Sequence, residues 1–144
     1  MRLLETKCDK LIPYHMLTHD MITAFYDRMS QVTSPEVSKL FMETTAAIVA
    51  KNIVKDAPNP VTEMKRVLEQ WGVQLHSVKI GSRSEWNMDC PFATQVHPQL
   101  QKEHTVCPAA LLMVGASRLQ ERNSTLVDYH LTDNGSKFTI ERGN

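Results

Sequence analysis

The chain predicts an α+β fold in which a helical N-terminal half packs on a mostly antiparallel four-stranded sheet closed by a C-terminal hairpin. Three observations carry this expectation: apolar residues recur at helical spacing as far as Gly72, alternating segments follow it, and Asn134-Gly135 is a preferred pair for a two-residue hairpin turn. A chain of 144 residues with 42% hydrophobic and 22% charged content has the length and composition for one core, burying close to ~70% of its unfolded surface. No internal repeat, low-complexity tract or linker divides it. The expectation is one domain over 1–144, with the helical layer at about 12–72 and the sheet plus a long helix at about 73–142.

Taken in order, Leu17, Met21, Phe25 and Met29, flanked by Ile22 and Tyr26, form the stripe of an amphipathic helix from about Tyr14 to Met29. Ser34-Pro35-Glu36 opens the next, with Ser34 as cap, Pro35 at the first helical position and Glu36 at the positive end of the dipole. Its stripe runs Val37, Leu40, Phe41, Thr44 and Ile48, while Ala46, Ala47 and Ala50 allow close packing. Asp56 to Pro60 ends that helix and starts a third, in which Val61, Met64, Leu68 and Trp71 share a face and Gly72 supplies a left-handed terminator. Val73 to Ile80 then reads as a strand and Gly81-Ser82 as a turn. In the next strand Trp86, Met88 and Cys90 point inward, between Glu85, Asn87 and Asp89. Pro108 begins a helix carrying Ala109, Leu112, Met113, Ala116 and Leu119. Pairing outward from Asn134-Gly135 sets Leu131 against Phe138, Tyr129 against Ile140 and Val127 against Arg142, with Leu126, Asp128 and His130 on the opposite face.

Charge excludes some function classes. Sixteen Lys and Arg balance sixteen Asp and Glu, without the cationic surplus that a nucleic acid or an anionic membrane surface requires. No run approaches the ~20 apolar residues of a membrane span, and Glu5, Lys7, Asp9 and Lys10 interrupt any signal-peptide core, so the expectation is a cytoplasmic protein. Three cysteines, Cys8, Cys90 and Cys107, suit a reducing compartment better than a disulfide scaffold. The eight methionines lie along apolar stripes, as filling for a soft core.

Side chains able to do chemistry concentrate between Cys90 and Cys107. Cys90, His97, His104 and Cys107 offer two thiols and two imidazoles, a donor set that suits zinc or iron, although the spacing is not that of a zinc finger. Equally, Cys90 beside Trp86 and Met88 reads as plain core. Cys107, preceding Pro108, sits at a helix start where amides and dipole stabilise a thiolate, provided that its sulfur is not buried among apolar groups. His104 is then a candidate base for a Cys107 nucleophile, with Asp89 or Asp128 to orient it. His130 beside Asp128 is a surface pair unless a helix covers that face; His15 and His19, one turn apart, are surface residues by default. No phosphate-binding glycine loop, nucleophile elbow or calcium loop is present in the sequence.

The stretch from Pro60 to Gly72, Trp86-Asn-Met-Asp-Cys-Pro-Phe92, Cys107-Pro-Ala-Ala-Leu-Leu-Met-Val-Gly115 and the Gly135 hairpin together resemble the 4-vinyl reductase (hydrocarbon-binding) domain over about residues 37–142. That resemblance implies a small α+β domain related in fold to vesicle-tethering TRAPP subunits, often a homodimer, binding a small apolar molecule in sensors and in bacteriochlorophyll synthesis. Cys90 is similar to that family's cysteine ending a central strand and Cys107 to the one opening its last long helix; Thr139 stands where the family's hairpin cysteine falls. Cys90-Pro91, Pro98 to Leu100 and Cys107 also resemble the aminothiazoline-carboxylate hydrolase-like proteins, whose hairpin cysteine is missing here too. The leading expectation is a small-molecule or metal-cofactor binding or sensing domain, with Cys90, Cys107, Trp86 and His130 at the pocket and Cys90, Cys107, His97 and His104 as metal ligands. The alternatives are a small hydrolase using Cys107 and His104, and a structural or tethering subunit without chemistry.

Overall fold

Helix α1, Pro35–Val54, begins where the sequence predicts: Ser34 accepts a capping hydrogen bond from the Val37 amide at 3.3 Å, with Pro35 and Glu36 in the first turn. Helix α2, Pro60–Gln70, is capped by Asn59, whose side chain accepts from the Thr62 amide at 3.0 Å, and Gly72 follows it with φ 93°. Met64 and Leu68 are buried as expected, but Trp71 is exposed, because the helix stops at Gln70 and Trp71 is already its cap. The computed structural model describes residues 21, 24–25, 28–29, 31–91, 93 and 106–143. Cys8, His15, His19, His97, Pro98, Leu100 and His104, with most of the first expected helix, lie outside them. The Phe25 ring stacks on Phe41 at 5.4 Å.

The fold is α+β. Strands β1 (Gln74–Ile80), β2 (Arg83–Asp89), β3 (Thr125–Leu131) and β4 (Gly135–Glu141) form one antiparallel sheet in the order β1-β2-β4-β3. Its inner face carries three rows: Leu75, Met88, Ser136 and Leu131; then Ser77, Trp86, Phe138 and Tyr129; then Lys79, Ser84, Ile140 and Leu126. The alternation expected for β2 holds, with Ser84, Trp86 and Met88 buried between exposed neighbours and Cys90 buried beyond them.

The terminal hairpin differs from expectation by two residues. The Thr132 amide donates to the Gly135 carbonyl at 3.0 Å, so the turn is Asp133-Asn134, Leu131 faces Ser136 and Tyr129 faces Phe138. Gly135 has no left-handed backbone; it opens β4 opposite Asp89, where a Cβ would run into the Met88 carbonyl. A two-residue slip keeps every side chain on its face. The bulge between Leu126 and Asp128 does not: it buries Leu126 and leaves Val127 exposed, reversing the expected faces at that end.

Helix α3, Pro108–Gln120, is the central element, packed against α1 and α2 and covering the sheet. Its residues from Ala109 to Ser117 are buried except Leu112, as expected of a helix apolar on nearly every side. Gly115 lets α1 approach so closely that a Cβ there would meet the Ala46 carbonyl. At that crossing α1 presents Ala46, and the face turned inward with it is Ser38, Met42, Glu43, Ala50 and Val54. The apolar stripe read from the sequence faces outward instead, with Leu40 57% and Ile48 62% exposed. Among the described residues no helix is long and apolar enough to cross a membrane.

Candidate functional site

Burial decides the state of the cysteines. Cys107 caps α3, and the amides of Ala109 and Ala110 favour its thiolate as the sequence suggests, but the sulfur makes no capping hydrogen bond and the residue is 3% exposed. Desolvation outweighs the helix start and, with the neighbouring Cys90 adding to it, pushes the Cys107 thiol up to about 12. The condition attached to a reactive Cys107, a sulfur not buried among apolar groups, is therefore not met in this structure. Neither Cys90 nor Cys107 forms a disulfide. The Cys107 amide donates to Tyr129 Oη at 3.1 Å. Burial pushes that hydroxyl well above the usual tyrosine range and Cys107 adds to the effect, while the Cys107 amide and Ser136 pull the other way. What the structure brings together is a buried, uncharged cluster of two thiols and a phenol. As metal donors Cys90 and Cys107 make half of a tetrahedral set. Among the described residues no group of three His, Cys, Asp or Glu side chains could hold a metal ion; His97 and His104 lie outside them.

The expected four residues are not brought into one pocket: Trp86 and His130 both border an outer-face concavity of about 210 Å³, and neither Cys90 nor Cys107 lines it. His130 lies in register with Lys137 and Asn87 on the outer sheet face, exposed, and bonds Asp128 through Nε2 at 2.9 Å. Trp86 belongs to the inner face, so the sheet itself separates the two side chains. Period-two alternation placed His130 correctly, and no described helix covers that face.

Trp86 also stands in the wall of a cavity of about 260 Å³ at the other end of α3. From Cys107 to Ser117 the helix rises about 15 Å. The cavity exists because β1 turns polar on its inner face: Leu75 is buried, but Ser77 and Lys79 follow it and give the helices nothing to pack upon. Its other walls are Asn59, Val61, Thr62 and Lys65 of the α2 start, Ser117, Gln120 and Glu121 of the α3 end, and Ser84, Ser124, Ile140 and Arg142. Behind this wall three buried atoms of its residues, Trp86 Nε1, Ser124 Oγ and Arg142 Nε, have no hydrogen-bond partner among the described residues, and none of the three has surface open to the cavity. The wall itself carries three cations, Lys65, Lys79 and Arg142, against one carboxylate, Glu121. Arg142 is steered by Glu121 at 3.7 Å and by a bond from Nη2 to the Gly81 carbonyl.

Sequence reasoning found Trp86 but assigned it to the wrong neighbours, and missed Lys79, Ser84, Ser124 and Arg142. The available signal was a break in pattern: Ser77, Lys79 and Ser84 occupy positions of one strand face where a fully covered sheet would place apolar residues. Comparison with protein-family models, with curated proteins and with solved structures finds no match to this chain.

Proposed function

We propose that this chain is a binding domain for a small polar molecule, held in the cavity between the α2 start, the α3 end and the inner sheet face. The observation that carries the reading is the cavity itself, about 260 Å³, with Lys65, Lys79 and Arg142 set against the single carboxylate Glu121 in one largely polar wall. No chemical step is assigned to Cys107, whose thiol is buried and uncharged near neutral pH. Buried thiols suit a reducing, cytoplasmic setting. The test is titration of ¹⁵N-labelled protein with pooled polar metabolites: binding moves the Trp86 indole and the Ser84 and Ser124 amides saturably. Pools that move none of these would sink the proposal.

A second reading rests on the two cysteines. Cys90 and Cys107 are close enough for each thiolate to disfavour the other, an arrangement that a zinc or iron ion relieves. We propose that, if a metal is held, His97 and His104 complete its ligands. Elemental analysis of protein purified without added metal should find it, and Cys107→Ser should lose it. Metal-free protein whose stability is unchanged by chelation excludes this reading.

The outward stripe of α1, with Phe25 stacked on Phe41, supports a third proposal, that a second copy of the chain covers it to give a homodimer.

A further inference from the structure

We infer that the cavity's ligand carries an oxyanion, a carboxylate or phosphate, on a small organic body; this rests on the binding reading above. The inference follows from the charge of the cavity's lining. The same wall bears three cations, Lys65, Lys79 and Arg142, against one carboxylate, Glu121. Two of the cations are only loosely shared, Lys65 with Glu69 at 3.5 Å and Arg142 with Glu121 at 3.7 Å, and Lys79 forms no salt bridge among the described residues. Surplus positive charge selects a charged acceptor over a neutral one. A cavity of about 260 Å³ is larger than a lone oxyanion fills. Val61, Ile140 and the Trp86 ring supply apolar wall for the remainder of the molecule.

The two tryptophans make the test internally controlled, because Trp86 is buried in the cavity wall whereas Trp71 is exposed at the end of α2. Full-length ¹⁵N-labelled protein is titrated with inorganic phosphate, with succinate, with glycerol, and with sodium chloride at matched ionic strength. The expected result is a saturable shift of the Trp86 indole cross-peak, with Trp71 unmoved, by about 20 mM phosphate or succinate. Which of the two anions acts identifies the group as phosphate or carboxylate. Lys79→Gln, an exposed substitution that leaves the core intact, should weaken the midpoint about 3-fold. An equal shift with sodium chloride, or no effect of Lys79→Gln, overturns the inference. A response to glycerol without one to either anion overturns the oxyanion while leaving a small-molecule site standing; silence of Trp86 toward every probe and every metabolite pool removes both.

Discussion

The Cys107 amide donates to Tyr129 Oη across 22 residues of sequence, at 3.1 Å, and so ties the start of the central helix to the middle of an edge strand. This amide is one of those that a helix start leaves without an intrahelical partner, and Cys107 offers no side-chain cap of its own. Tyr129→Phe removes the acceptor and keeps the ring. The expected loss is about 1–2 kcal/mol, read as a lower urea midpoint at unchanged m-value.

The same burial makes the fold sensitive to alkali. Cys107 ionises at about 12 when folded against an ordinary value near 9, so above pH 9 the unfolded chain sheds its proton while the folded chain keeps it. The stability contribution is fully present below that pH and is lost as pH rises toward 12, with a slope of at most about 1.4 kcal/mol per pH unit for this thiol. Tyr129, raised for the same reason, steepens the upper part. Cys107→Ala should flatten the decline in thermal midpoint above pH 9. Native protein near pH 7 should alkylate at Cys107 only at the rate of unfolding; rapid labelling would show that the sulfur is reachable.

Glu43 is the buried charge on which α1 and β3 meet. Its carboxylate accepts from the Leu126 amide at 2.9 Å and from Thr125 Oγ1 at 2.9 Å, with Arg118 at 3.5 Å. Glu43→Ala leaves the buried Leu126 amide unpaired and Arg118 with the Ser124 carbonyl alone, and should cost about 3 kcal/mol. Glu43→Gln keeps one acceptor oxygen and should cost less, a ranking that chemical denaturation checks directly.

Gly115→Ala tests the helix crossing. The added methyl meets the Ala46 carbonyl, a backbone atom that cannot turn aside, so α1 must move. About 3 kcal/mol of destabilisation is expected. Ala116→Gly, one position along the same helix, should cost less, the helix propensity plus one buried methyl, about 2 kcal/mol.

The exposed α1 stripe is tested by light scattering at tens of micromolar. Ile48→Glu, on a side chain 62% exposed, should convert a dimer to monomer while leaving the monomer's fold and near-ultraviolet spectrum unchanged. A wild-type monomer at that concentration counts against the homodimer.

What the sequence determined by itself was local. Ser34, Pro35, Pro60, Gly72 and Pro108 mark helix ends because caps, fixed φ angles and left-handed backbone are properties of one or two residues. The alternation Trp86, Met88, Cys90 assigned the inner face of β2, since a strand admits only two orientations. The inward side of α1 was decided elsewhere, by Gly115 on a helix more than fifty residues away, whose close approach sets Ala46 inward and leaves Leu40 and Ile48 outside. The hairpin register likewise depended on β2, which needs Gly135 against the Met88 carbonyl and takes it from the turn. Helix-start chemistry predicted a reactive Cys107, and only the packed core, by removing water from the sulfur, reversed the sign. Residues as distant as Lys65, Trp86, Ser124 and Arg142 share a cavity because three elements converge where β1 turns polar, and convergence of that kind has no period along the chain.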